Sequence, residues 1–336
     1  MKTRLFVLIP LTMAFFGEGC RVAQFDPASK VEAVRILATR SDKPYAKPGD
    51  TVNMEVLVDD GRAIKRTPMN VYWIPIPCID PVNDAYYACY PGFAQLKPGV
   101  DLTPVLQAGT RFSFTMPADV ITKHTKRNGS MDAVPDGLAV IFTIACAGHV
   151  EYIPASDNGV LNQLPLGCFD DQHHQLGPDD YVFAFSLVYA FDDRSNANPV
   201  VDHLTFAGVP IDLNAGITLD HCGSAAADVN GAINRNGCMA TPMDVVIQDE
   251  SWEVDPSNVD PASGKPLKES IRVHYFVTDG KFENDTINLF DPTSGRIMDT
   301  KDNFTAPPLA GENTIWAVVR DNRGGATWFT IPLHVR

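Results

Sequence analysis

Apolar and polar residues alternate with a period of two along much of the chain, the pattern of strands with one buried face. The clearest stretch is KPGDTVNMEVLVDDG (47–61). Pro48, Gly49 and Asp50 make a turn, and Val52, Met54, Val56 and Val58 then alternate with Asn53, Glu55 and Leu57. VEAVRILA (31–38), NVYWIPIPC (70–78) and RFSFTMP (111–117) predict further strands. GLAVIFTIACAG (137–148) is an unbroken apolar run and predicts a fully buried strand. DDYVFAFSLVYAFDD (179–193) carries aromatic and aliphatic residues on both faces. Long polar stretches at 79–110, 118–136 and 150–178 lie between these elements and predict loops.

RSNANP (194–199) has the composition of a linker. Strand patterns resume after it at VVDHLTFAGVPI (200–211), TPMDVVIQDESWEV (241–254) and SIRVHYFVTDGKF (270–282). DPSNVDPASGKPLKE (255–269) reads as a loop. ENTIWAVVRDNRGGATWFTIPLHVR (312–336) predicts a hairpin with RDNRGG as its turn. No segment keeps a helical period for more than a turn or two. The expected fold class is all-β, with two Ig-like β-sandwich domains in tandem. The first, 31–192, carries long disulfide-stapled loop insertions; 193–199 links it to the second, 200–336. The chain has 336 residues, enough for two ordinary domains, and its 26 Pro and 24 Gly favour many short strands with turns between them.

The first twenty residues change the picture from fold to address. Lys2 and Arg4 precede an apolar core, LFVLIPLTMAFF (5–16), which is too short to span a bilayer and is interrupted by Pro10. This predicts an export signal over 1–19. Gly17 and Gly19 fit ordinary signal cleavage, whereas Gly19-Cys20 also resembles the end of a bacterial lipobox, with Gly17 and Glu18 in place of its usual residues. The cysteine count separates the two readings. Seven cysteines occur, at 20, 78, 89, 146, 168, 222 and 238. An exported protein with an odd count leaves one thiol to explain. If Cys20 carries lipid, six remain, and six can pair completely. Fifteen connectivities are possible. The sequential one, Cys78 with Cys89, Cys146 with Cys168 and Cys222 with Cys238, closes three short loops. Lipidation at Cys20, a tether over 20–30 and three structural disulfides are the resulting expectations.

Several pieces of the chain resemble myxobacterial-type envelope lipoproteins with Ig/PKD-like β-sandwich domains. In the second half these are IRVHYFVTDGKFENDT (271–286), NFTAPPLAGENTIWAVVRDNRGGATW (303–328) and the terminal IPLHVR. In the first half they are PGDTVNMEVLVDD, the segment from Trp73 through Cys78 to Cys89, and IACAG, with NANPVVDHLTFAGVPI joining the halves. The resemblance covers most of the mature chain. It implies an envelope lipoprotein built of Ig-like sandwiches, and no catalytic residue comes with it.

Charge and side-chain chemistry narrow the function classes. The net charge of −14 becomes about −15 once 1–19 is removed, and no basic stripe offsets it, which argues against a nucleic-acid partner. CFDDQHHQLGPDD (168–180) offers mixed His and carboxylate ligands, with Asp171, His173 and His174 as metal candidates, though without an HExxH or HxH spacing. FDDRSNAN (191–198) offers oxygen ligands of the kind Ca²⁺ takes, with Asp192 and Asp193 as candidates. His149 and the other histidines are scattered and read as structural. Trp73, Trp252, Trp316 and Trp328 read as core aromatics, and Tyr86-Tyr87 as a surface patch. There is no GxSxG elbow, SxxK or P-loop, so no catalytic residue, no resident metal and no cofactor are expected.

The expected function is a non-enzymatic binding or structural role in the bacterial cell envelope. The partners are the membrane, through an N-terminal lipid on Cys20, and envelope proteins or polysaccharide. Arg21 after the anchor gives no Asp-type retention cue, which favours the outer membrane. Two other readings stand beside it: a calcium-dependent adhesin, and a secreted or envelope hydrolase with its site in loop 150–180.

Overall fold

The structure is a computed structural model that describes residues 27–95, 97, 99–124, 135–153, 164–222, 238 and 240–336. The expected signal and Cys20 lie outside the described residues. The N-terminal half holds β1 (Val34–Ser41), β2 (Tyr45–Ala46), β3 (Thr51–Asp60), β4 (Asn70–Trp73), β5 (Cys78–Ile79), β6 (Gln107–Ala108), β7 (Arg111–Thr115), β8 (Gly137–Cys146), β9 (His149–Tyr152), β10 (Leu166–Phe169) and β11 (Tyr181–Ala190). The C-terminal half holds β12 (Val201–Phe206), β13 (Val209–Pro210), β14 (Ile217–Leu219), β15 (Thr241–Ile247), β16 (Val254–Val259), β17 (Pro266–Lys268), β18 (Ile271–Val277) and β19 (Lys281–Phe282). It continues with β20 (Thr286–Asp291), β21 (Gly295–Arg296), β22 (Asp302–Thr305), β23 (Gly311–Asp321) and β24 (Ala326–Val335).

The two halves repeat one topology. In the first, a sheet ordered β1-β3-β7 faces a sheet ordered β2-β11-β8-β4-β6; in the second, β12-β15-β22 faces β14-β24-β23-β18-β20. In each half a short early strand runs parallel to the last long one: β2 beside β11 and β14 beside β24. The other ladders of these sheets are antiparallel, and the arrangement is that of an Ig-like sandwich. The alternation in β3 works as its sequence implies. Val52, Met54 and Val56 point inward, where they gather with Phe112 of the neighbouring strand β7 and with Trp73, Ile141 and Val188 of the facing sheet. Trp73 stacks on Phe112, and its indole N–H donates to the Gly109 carbonyl at 2.8 Å. The second core gathers Met243, Val245, Tyr275, Phe282, Phe304, Ile315 and Ile331.

Strand β8 is buried along its whole length. Ala139 and Ile141 face the sandwich core. Leu138, Val140, Phe142, Ile144 and Cys146 face the other way, against Tyr90, Leu102, Val150, Leu166 and Cys168. An outer layer therefore covers this sheet. It consists of a 3-10 segment, Tyr86–Gln95, and the β9–β10 hairpin. The polar stretches 79–110 and 150–178 are expected loops; the second holds most of this hairpin, whose strands of four residues are too short to give a periodic signal. The segment 255–269, also read as a loop, contributes β16 and β17, which pair with a register shift between Asp255 and Val259. Pro256 and the Asp and Gly residues around it hide the hairpin in the sequence.

Strand β23 is enclosed in the same way. Ile315, Ala317 and Val319 enter the second core, while Trp316 on the opposite face packs on Val31 and Leu37 of the N-terminal half. The Arg320 guanidinium donates to the Leu37 carbonyl at 2.6 Å, and Arg40 lies 4.1 Å over the Trp328 ring. Two segments expected to be connectors take part in this contact. In the expected tether, the Ser29 carbonyl accepts from Val277 N–H, and Val31 N–H donates to the Val277 carbonyl, both at 2.9 Å. In the expected linker, Asn196 is buried and donates to Asp321 at 3.1 Å, and Asn198 donates to the Ser41 carbonyl at 2.8 Å. Asparagine suits this position because its amide both donates and accepts: Asn198 also accepts from Ala326 N–H at 2.9 Å.

Below this contact lies a buried charged group. Arg323 donates to Glu269 at 3.2 Å and to Glu253 at 3.4 Å, and Asp321 accepts from the backbone N–H groups of Arg323 and Gly325. Burial pushes the Glu269 carboxyl up to about 7, with Asp321 and Glu253 adding to it, against the Glu253 N–H and Arg323.

Two predictions follow from burial. Ile141 and Ile144 are both wholly buried but lie on opposite faces of β8. Replacing either with Ala is expected to cost about 2–5 kcal/mol in urea denaturation; a near-zero cost at Ile144 alone would show the outer layer to be loosely packed. The second concerns Glu269. Its folded value lies above the ordinary 4.5, so the fold holds this proton more tightly. The stability it contributes is fully present below about 4.5 and is lost as the pH rises through about 7. The wild type should therefore lose on the order of 2 kcal/mol relative to Glu269→Gln between pH 4.5 and 8. Melting curves of both proteins across that range check this, and a constant difference would contradict it.

Candidate functional site

The outer layer over β8 carries the features able to act on other molecules. Its first part starts from IPIPC (74–78). Pro75 and Pro77 have no N–H to give a ladder and hold the chain extended. Cys78 and Ile79 then rejoin the sheet beside Val140 and Ala139 of β8. The Cys78–Cys89 disulfide, with Cα atoms 5.9 Å apart, draws the Tyr86–Gln95 segment back over the sheet. Between these pieces opens a cleft of about 430 Å³. Its walls are Ile74, Pro75, Ile76, Pro77, Phe93, Leu102, Val105, Leu106, Phe142 and Leu166, with the disulfide sulfurs and Gly92 completing them. Ile76 at the mouth is 78% exposed. Beside it, Tyr86 stacks on Phe185 with ring centroids 4.0 Å apart, and Tyr87 is 58% exposed.

The second part is the β9–β10 hairpin. The Cys146–Cys168 disulfide ties β10 to the end of β8, with Cα atoms 5.8 Å apart. Gly148, in the turn from β8 to β9, permits the close approach of that turn to β10, since a Cβ there would lie 2.1 Å from the Phe169 carbonyl oxygen. On β9 the two-residue period sends Val150 and Tyr152 into the outer-layer core and leaves His149 and Glu151 on the opposite face. The turn after β10 is built by Asp170, whose Oδ1 accepts from the N–H groups of Gln172 and His174 at 2.9 Å. His173 sits in this turn with φ of +61°. Its Nδ1 donates to Glu151 Oε1 at 2.5 Å, and His149 Nε2 donates to the same oxygen at 2.6 Å. Glu151 is 2% exposed. Burial pushes its carboxyl up, but the hydrogen bonds from His149 and His173 override this, and the net direction is below the usual carboxylate range.

The candidates read from the sequence scatter. His173 joins a group of potential ligands, but with His149 and Glu151 rather than with its sequence neighbours. His174 turns away to Asp170 at 3.3 Å. Asp171 is exposed. Asp192 and Asp193 are exposed too; Asp193 lies 3.7 Å from Arg194 Nε, and neither is in the set of three His, Cys, Asp or Glu groups that converge among the described residues. Cys222 and Cys238 form the third disulfide. His149 and Glu151 were missed because each, alone, is an ordinary residue. The available signal was the spacing His149-x-Glu151 on a strand, with a staple that returns the chain beside it.

No family model matches the chain, and no curated protein matches it. Among solved structures, it is similar to the fibronectin(III)-like modules of CbhA from Clostridium thermocellum, at 12% identity over 89% of this chain and 94% of that chain, with a TM-score of 0.22. It is also similar to the D0-D1 domain of intimin, at 9% identity over 89% of this chain and 98% of that chain, with a TM-score of 0.18. Scores of this size assign neither a family nor an activity.

Proposed function

We propose that this is a non-enzymatic, lipid-anchored protein of the bacterial outer membrane, with two Ig-like sandwich domains in tandem, that binds a small apolar molecule in the stapled outer layer of its first domain. The observation that carries the anchoring is the complete pairing of the six cysteines after Cys20. Paired cysteines belong to an oxidising compartment, and the odd one follows an export-type leader. A diacylglycerol on the Cys20 thiol accounts for it.

The binding role rests on the chemistry of the cleft. Its volume falls in the range of small-molecule sites. Its walls are hydrocarbon, proline ring and oxidised sulfur, with no acid, base or nucleophile among the described residues that line it. Such a lining favours an apolar guest by the surface that both remove from water.

Two measurements test this. Intact mass of the protein extracted from its own membranes should show a lipid-sized increment on a chain starting at Cys20, and six thiols that appear only after reduction; an unlipidated chain would remove the anchor. An apolar fluorophore such as N-phenyl-1-naphthylamine should bind the purified protein with a Kd near ~1–10 µM. Leu106→Arg should weaken it by roughly tenfold or more, through the cost of placing a charge against the apolar wall. Equal binding to both proteins would show that the cleft is not the site.

A further inference from the structure

We infer that His149, Glu151 and His173 form a zinc-binding site, in which His149 Nε2, His173 Nδ1 and a Glu151 carboxylate oxygen are the three protein ligands. This site is separate from the apolar cleft and does not depend on the anchoring.

The argument begins with convergence. The three ligand atoms lie within 4.8 Å of one another, and among the described residues this is the group of three such side chains that does so. Two imidazole nitrogens meet one carboxylate oxygen at 2.6 and 2.5 Å. About a tetrahedral ion with bonds of about 2.0–2.1 Å, the same atoms would stand ~3.3 Å apart. The required opening is under ~1 Å. His173, whose side chain is 62% exposed, can open its contact by moving outward, and a rotation of the Glu151 carboxylate opens the contact to His149, which keeps its place on β9.

The scaffold is rigid where it needs to be. His149 and Glu151 stand on one face of β9, which is paired to β10 at every residue from Leu166 to Phe169. The Cys146–Cys168 disulfide ties β10 to the end of β8, and Cys168 lies one register step from the partner of His149. The Asp170 turn holds the His173 backbone, with His173 N–H donating to the Asp170 carbonyl at 3.0 Å.

Ligand type selects the ion. Two imidazoles and one carboxylate suit zinc and other late transition metals, whereas calcium and magnesium take oxygen ligands in larger numbers. Three protein ligands leave a fourth position. Glu151 and His173 line a shallow opening together with Gly99, Phe169 and Gln175, through which water could reach that position. Glu151 also brings a buried carboxylate, whose charge a dication held among the three compensates.

The test is titration of Zn²⁺ into the purified, chelator-treated full chain, followed by calorimetry. One ion per chain with a Kd of about 1 µM or tighter is expected. His173→Ala and His149→Ala should each weaken binding by roughly 100-fold. His174→Ala, one residue along the same turn and facing Asp170, should leave it unchanged. His173 is exposed, so its variant keeps the fold and decides the matter even if the His149 variant does not fold. Absence of binding in the micromolar range, an unaltered affinity in His173→Ala, or an equal loss in His174→Ala would each overturn the assignment.

Discussion

The central strand of each half is buried on both faces, and the rest of the architecture answers to that. A sandwich supplies one apolar neighbour for such a strand, the facing sheet. A second covering is needed, because leaving side chains such as Phe142, Ile144 or Trp316 in water would forfeit about 25 cal/mol for each Å² of apolar surface. The two halves solve this differently. Over β23 the cover is the N-terminal half itself, through Val31 and Leu37. Over β8 the cover is a layer of 3-10 turns and one short hairpin. Segments this short bury little surface of their own and pay the full entropy of being ordered. Two disulfides, both rooted on or beside β8, offset that cost by restricting the unfolded chain.

This division explains where function can reside. The sandwich cores are filled by apolar side chains of the two sheets. The stapled layer is irregular, exposed on its outer side and fixed on its inner side, the combination that loops on a rigid scaffold bring to binding. The apolar cleft and the His149–Glu151–His173 group are both in it, each next to its own disulfide. The contact between the halves carries different chemistry: cation–π stacking of Arg40 on Trp328, and a buried set of carboxylates around Arg323. That contact holds the segments at 29–31 and 195–199 against the second half, so chain composition alone was a poor guide to their freedom.

Much of the frame was legible because it is periodic. The alternation at 52–58, the unbroken run at 137–146 and the hairpin at 312–336 each announce a strand and its burial. Close spacing of cysteines anticipated their pairing. What was not legible depends on register. β9 and β10 are four residues each and sit in polar sequence, so neither outweighs its surroundings. β16 and β17 are masked by Pro, Asp and Gly. The His–Glu–His group exists only because β10 returns the chain 22 residues later to the face where His149 and Glu151 already stand. Asp192 and Asp193 are adjacent acids, both exposed, that join no such group of three among the described residues.

The claim on which all this rests is that two disulfides hold a covering layer onto β8. Hydrogen exchange of the oxidised and reduced protein, followed by mass spectrometry, reads it directly. The account predicts that reduction sharply accelerates exchange in 78–106 and 149–176, and then in β8, while β18, β23 and β24 stay protected. Unchanged exchange in those two segments after complete reduction would contradict it, because the layer would then be held by packing alone.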